Sequence, residues 1–243
     1  MTRKKLRYDW SQLNRDLIAV DIWNLKSELT RTKITPFQFH TKLTKFIRQR
    51  YPLKFRKTYN SKILPNTVYV GGIYHSYYDQ SRQKCIELIF EYPNQKKLFI
   101  SPQKFSSFCY NIADTILHEI IHMRQFRRRN FKVLPDYASN AEKTEVRQEQ
   151  AYLGSSDEID AYSFNIACEL IDKFGNNQKK IIKYLNEDQK YKQRKNNSWR
   201  MYLKAFQHNH DHVIIKRVKK KVIRYLPQAE NGRPYKNKDW INW

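Results

Sequence analysis

In the segment Thr115-Ile116-Leu117-His118-Glu119-Ile120-Ile121-His122, two histidines stand four residues apart in an apolar run. On an α-helix both rings project from one face and can hold one metal ion. The neighbours Ile112, Ile116, Leu117, Ile120 and Ile121 predict a helix apolar enough to be buried, as a rigid metal-site element should be. Two ionisable imidazoles in such a place are costly without a partner, and a metal supplies one. With 7 histidines in 243 residues, random order gives about 0.01 matches to this pattern per chain. Chance placement on an ordinary core helix is therefore the weaker reading.

Glu119, beside the first histidine, is placed to act on a water activated by the metal rather than on the metal itself, which makes it the candidate general base. A catalytic zinc takes three protein ligands and keeps one position for water, so a third ligand lies elsewhere. No histidine follows at the short HExxHxxGxxH spacing, because Met123-Arg124-Gln125-Phe126-Arg127-Arg128 succeeds His122. The better candidate is Glu158, at the start of the next marked helix, with Ala161 one turn later to permit close helix approach. Ser155-Ser156-Asp157-Glu158 also fits a capping box, in which Glu158 would bond back to the N-cap amide. The need for a third donor favours the ligand role, with Asp157, Glu149 and Glu145 as fallbacks.

HEIIH followed some tens of residues later by EIDA on a helix resembles the gluzincin branch of zinc metallopeptidases. The resemblance covers about residues 104 to 172. It implies a zincin-like fold, a Zn2+ cofactor held by His118, His122 and Glu158, and Glu119 as catalytic base. Where ExxAD-type families carry an aspartate after the alanine, this chain has Tyr162. Asp160 or Asp114 would then accept the hydrogen bond that orients a ligand histidine. A looser resemblance is to SprT-like proteases, which also carry HExxH but usually with a downstream histidine that is not evident here.

Around this site the pattern predicts an α+β fold: N-terminal helices, a small antiparallel sheet, the HExxH helix, a glutamate helix and a basic helical extension. An apolar stretch from Leu13 to Leu25 and a segment opened by Thr35-Pro36 read as two helices. Runs from Thr67 to Tyr78 and from Lys84 to Tyr92 read as strands, with Leu98 to Ile100 as a short third. Ser101-Pro102 starts a helix with no Gly or Pro as far as Leu134. Residues 140 to 150 suit loop or exposed helix. A helix from Ser155 stops at Gly175, and three basic helices follow at about 178–186, 197–207 and 211–225. The expected organisation is a metallopeptidase domain over 1–175, a packed helical extension over 176–226, and a tail over 227–243 with Trp240 and Trp243 at its end.

The 47 Lys and Arg against 23 Asp and Glu give a formal charge of +24, which attracts polyanions. Two clusters stand out, Arg127-Arg128-Arg129 and the set Lys216, Arg217, Lys219, Lys220, Lys221 and Arg224. Each reads as a solvated face or as a non-specific nucleic-acid surface. Only 5 glycines disfavour Gly-rich phosphate loops. Cys85, Cys109 and Cys168 form no CxxC pair, which argues for a reducing compartment. No signal peptide or transmembrane run is evident, so a cytoplasmic location without membrane contact is expected, or virion and host cytoplasm for a viral chain.

His208, His210 and His212 form a second cluster that suits a solvated helix junction, a second metal or oxyanion stabilisation. His40 and His75 read as structural or exposed, and Tyr137 and Tyr152 as candidate oxyanion donors. The expected function is a zinc endopeptidase acting on protein or peptide. Two alternatives stay open: a basic nucleic-acid-binding or viral structural protein on a zincin-like scaffold, and a zinc hydrolase of non-peptide amides.

Overall fold

The structure, a computed structural model, describes residues 8–30, 33–134, 144–187 and 197–234. The expectations placed on Tyr137, Trp240 and Trp243 fall outside them. The chain is α+β and mostly helical, with one small three-stranded sheet among the described residues. It divides into two compact units, Met1–Arg124 and Gln125–Trp243, and the dividing line passes through a helix, not a linker.

In the first unit a 3-10 turn leads into α1 (Arg15–Trp23), α2 (Lys26–Thr30) and α3 (Pro36–Arg50). The single helix expected from Leu13 to Leu25 thus ends at Trp23, and α2 follows as a separate short helix. Helix α3 begins as expected: Pro36 occupies its first turn, Thr35 Oγ1 accepts from the Gln38 amide, and Gln38 Oε1 accepts from the Thr35 amide.

The sheet is mixed, not antiparallel as expected. Its strands are β1 (Leu53–Asn60), β2 (Tyr69–Tyr74) and β3 (Ile86–Pro93), in the order β1-β3-β2. Strand β3 pairs antiparallel with β2 but parallel with β1, because the long connection through 61–85 lets it return between the other two. Lys54 and Arg56 take the polar positions of β1, but Lys57 interrupts its apolar positions, so the basic run does not announce that edge strand. The expected run to Tyr78 ends at Tyr74, and α4 (Ser76–Gln80) follows, with the Tyr74 hydroxyl donating to buried Asp79. Leu98 forms only an isolated bridge with Ile34 instead of a third strand.

Alternate residues of β3, Ile86, Leu88, Phe90 and Tyr92, are fully buried. Their face meets Phe39 of α3 and Phe108 of α5 (Pro102–Arg128): the Phe39 ring centroid lies 6.3 Å from Tyr92 and 5.7 Å from Phe108, and Phe90 lies 6.3 Å from Phe108. This aromatic cluster fixes α5 against the sheet. Ser101 Oγ accepts the Lys104 amide at the start of α5. The helix stops at Arg128, although no Gly or Pro occurs before Leu134, because Asn130 and Phe131 take positive φ and the Phe131 amide turns back to the Phe126 carbonyl.

Arg15 of α1 grips Asp114 of α5 in a bidentate pair, Nε to Oδ1 at 2.6 Å and Nη2 to Oδ2 at 3.1 Å, with its guanidinium 4.6 Å from the Tyr110 ring centre. Both side chains are largely removed from water. Geometry of this quality is what offsets the cost of burying the charges.

The second unit is helical among its described residues: α6 (Glu145–Gly154), α7 (Ser156–Phe174), α8 (Gln178–Asn186), α9 (Ser198–Ala205) and α10 (Val213–Glu230). Helix α10 buries Ile215, Val218, Val222, Tyr225, Leu226 and Ala229, an apolar stripe packed mainly on α7, where Phe164 and Tyr225 meet edge to face. It runs through Pro227 to Glu230, so the first residues of the expected tail are helical. No helix among the described residues is long and apolar enough to cross a membrane.

Two outcomes follow. Replacing Arg15 by Ala leaves Asp114 charged and shielded, and is expected to lower stability by about 3 kcal/mol in urea denaturation. His40, hydrogen-bonded to the Tyr92 hydroxyl at 3.1 Å, has its pKa lowered to about 4 by burial and then by Lys57 and Arg48. A histidine depressed in the folded state binds its proton first in the unfolded chain. Stability is therefore expected to fall as pH drops from about 6.5 towards about 4, and His40→Gln to flatten the profile in that window.

Candidate metal centre

Helix α5 is buried almost all round over Ile112–Arg124, as the apolar pattern predicts. Within it His118, Glu119 and His122 are 6%, 5% and 7% exposed. The two Nε2 atoms lie 3.1 Å apart, with the rings at 73° to one another. Two nitrogen ligands at ~2.0–2.1 Å from a tetrahedral ion stand ~3.3 Å apart, so this pair is already set near the spacing a small cation requires.

Glu158 completes the group. The ligand atoms of His118, His122 and Glu158 all lie within 4.8 Å of one another, and all three residues are buried. Two imidazoles and a carboxylate, shielded from water, form a donor set that could bind a metal ion.

Local structure explains why Glu158 can serve. Ser155 is the N-cap of α7, and its Oγ accepts the Glu158 amide at 3.3 Å. The other half of a capping box is taken by the backbone, since the Ser155 amide donates to the Tyr152 carbonyl at 3.1 Å. The competing demand on the Glu158 carboxylate is thereby met elsewhere.

Neighbouring acids are committed to cations. Asp157 holds Arg129 through both oxygens, at 2.9 and 2.7 Å, and its carbonyl accepts from Gln125. Asp160 accepts from Lys221 at 2.6 Å and from Gln125 at 3.3 Å. Glu145 and Glu149 are exposed on α6. Among the fallback ligands, none joins the histidines in the metal group formed by the described residues. Of the two acids expected to orient a ligand ring, Asp114 holds Arg15 and Asp160 holds Lys221.

Glu119 is positioned by an absence. A Cβ on Gly72 of β2 would lie 2.6 Å from Glu119 Oε1, 2.7 Å from its Cγ and 2.8 Å from Thr115 Cγ2. Only glycine lets the strand approach so closely. Gly71-Gly72 lies inside the Thr67 to Tyr78 strand run, and a glycine pair in such a pattern is the signal of close backbone approach. Gln125 is marked by no spacing rule, and Arg129 stood out only as part of a basic cluster.

Tyr152 stands beside Glu158 and Tyr162; burial, followed by those two neighbours, pushes its phenol pKa well up, so it remains a hydrogen-bond donor. Tyr162, where an aspartate was the family expectation, stacks edge-on to Tyr202 at 5.8 Å. The histidine cluster belongs to the turn between α9 and α10. His212 Nδ1 accepts the Ile214 amide as N-cap of α10, its ring lies 4.6 Å from Phe206, and His210 faces Trp199. The cluster thus lies at a helix junction, half-buried against aromatic rings rather than solvated. His75 pairs with Glu87 at 3.1 Å.

Of the nine cations singled out for nucleic acid, Arg129, Lys221 and Lys216 are paired with Asp157, Asp160 and Asp211, Arg217 donates to Ser156 and Lys219 to Asn186. Lys216, Lys220, Arg224 and Arg128 are exposed.

Loss of the third donor should be visible in metal content. Glu158→Ala is expected to weaken metal retention more than about 100-fold, beyond what loss of an outer partner costs, with Glu149→Ala indistinguishable from the parent chain. Elemental analysis after dialysis against a graded chelator reads both. The chain matches no protein-family profile, no curated protein and no solved structure.

Proposed function

We propose that this chain is a zinc-dependent endopeptidase of the HExxH class, gluzincin-like in its ligands. The observation that carries the reading is the buried group of His118, His122 and Glu158 with Glu119 next in sequence to the first histidine. The two imidazoles and the carboxylate would hold zinc, and the donor set suits it. Zinc bound there supplies a Lewis acid that polarises the scissile carbonyl and lowers the pKa of a water towards ~7.

The remaining chemistry falls to the protein. Glu119 accepts the proton of the attacking water on its carboxylate and returns it to the amide nitrogen as the C–N bond breaks. Burial keeps that carboxylate out of bulk water, and the missing side chain at Gly72 gives it room. Strand β2 lies at the sheet edge, with β3 on one side and no strand on the other among the described residues. A substrate in extended form can hydrogen-bond to that edge, which would bring its backbone alongside the strand that abuts Glu119. The zincin-like fold is part of this proposal: it rests on the mixed sheet, the HExxH helix and the glutamate helix.

The test compares wild type, Glu119→Gln and Gly72→Ala for metal content and for cleavage of a denatured protein mixture. Glu119→Gln is expected to keep one zinc per chain and lose at least about 100-fold in rate. Gly72→Ala, which shifts Glu119 without touching a ligand, is expected to keep the metal and lose on the order of 100-fold in kcat. A chain that holds no zinc, or cleavage that survives Glu119→Gln, would overturn the proposal.

A further inference from the structure

The first unit carries an aromatic and cationic strip that the metal chemistry does not use. Along edge strand β1, Phe55, Lys57 and Tyr59 point to the same side, one every second residue, over ~13 Å. Helix α3 packs beside that strand and contributes Phe37 and Arg48. The Lys57 Nζ lies 4.8 Å from the Phe37 ring centre and 5.3 Å from that of Tyr59, and the Arg48 guanidinium lies 5.4 Å from Phe55. Rings and cations therefore alternate along one surface.

Phe37 is 62% and Tyr59 52% exposed, and Tyr59 rests its inner edge on buried Tyr92, with ring centroids 6.2 Å apart. No acidic side chain among the described residues pairs with Arg48 or Lys57; Arg48 is exposed and Lys57 half-buried. The field they create is felt locally: after burial, Lys57 and Arg48 are the causes that lower the pKa of neighbouring His40.

We infer that this strip binds single-stranded nucleic acid, its phosphates on Lys57 and Arg48 and its unpaired bases stacked on Phe37 and Tyr59. Exposed rings with interleaved cations suit a strand whose base faces are open, whereas a duplex offers only phosphates to them. The charge of +24 over the whole chain supplies long-range attraction, and the rings supply preference for the single strand. Stacking and phosphate contact do not read the sugar, so DNA and RNA strands should bind alike.

Fluorescence anisotropy with labelled oligo-dT, oligo-U and a duplex of equal length tests this on the full chain. Phe37→Ala with Tyr59→Ala is expected to weaken both single strands by about tenfold or more while leaving the duplex within about twofold. Phe37→Tyr with Tyr59→Phe keeps both rings and should restore single-strand affinity. Arg48→Gln with Lys57→Gln should lower the slope of log affinity against log salt by about 1.4 for single strands. Both rings are surface groups, and thermal melting verifies that each variant folds. Unchanged single-strand affinity in the ring-deleted variant, or equal loss for single strand and duplex, would overturn the inference. So would a preference confined to the α10 cations, seen as loss in Lys216→Gln with Lys220→Gln alone.

Discussion

Two imidazoles and two carboxylates buried around one stretch of helix set the terms for the rest of the molecule. Such groups are expensive to remove from water unless a cation or hydrogen bonds compensate them. The helix that carries His118, Glu119 and His122 is buried almost all round over Ile112–Arg124, polar groups included, so they have to be compensated where they lie. An aromatic cluster from α3 and β3 encloses the helix, and Gly72 gives up its side chain where the sheet meets Glu119.

The acids near this helix divide by what holds them. Asp114, Asp157 and Asp160 are each engaged by a cation, Arg15, Arg129 and Lys221 respectively. Those pairs settle the charges and anchor the helices that bear them. Glu158 instead belongs with His118 and His122, and its capping role is taken over by the Tyr152 carbonyl. A chain with a large surplus of lysine and arginine thus spends some cations inside and shows others at its surface, which is why charge runs in the sequence did not map onto uniform patches. Arg127-Arg128-Arg129 contains one residue bound in an ion pair and one that is exposed.

Local rules were legible where a single helix contained all the information. The Thr35-Pro36 start, the Ser101 and Ser155 caps, the α8 limits and the i,i+4 histidines all depend on neighbours within a few residues. The candidate third donor was legible too, from donor chemistry and the resemblance of EIDA. Strand β1 was not, because a basic edge strand owes its conformation to pairing with β3, 33 residues away. The parallel sense of that pairing and the stop of α5 at Arg128 were hidden for the same reason.

The sequence by itself determined a buried helix presenting two imidazoles and a glutamate, because periodicity and hydrophobicity act within that helix. It also determined a strongly basic chain. Only the tertiary structure decided which carboxylate joins the histidines, which acids are neutralised by arginine or lysine, and that Gly72 rather than a side chain faces Glu119. Those outcomes depend on distances between residues remote in sequence, and electrostatic and steric energies at such distances change over an ångström or two, a scale no spacing rule resolves.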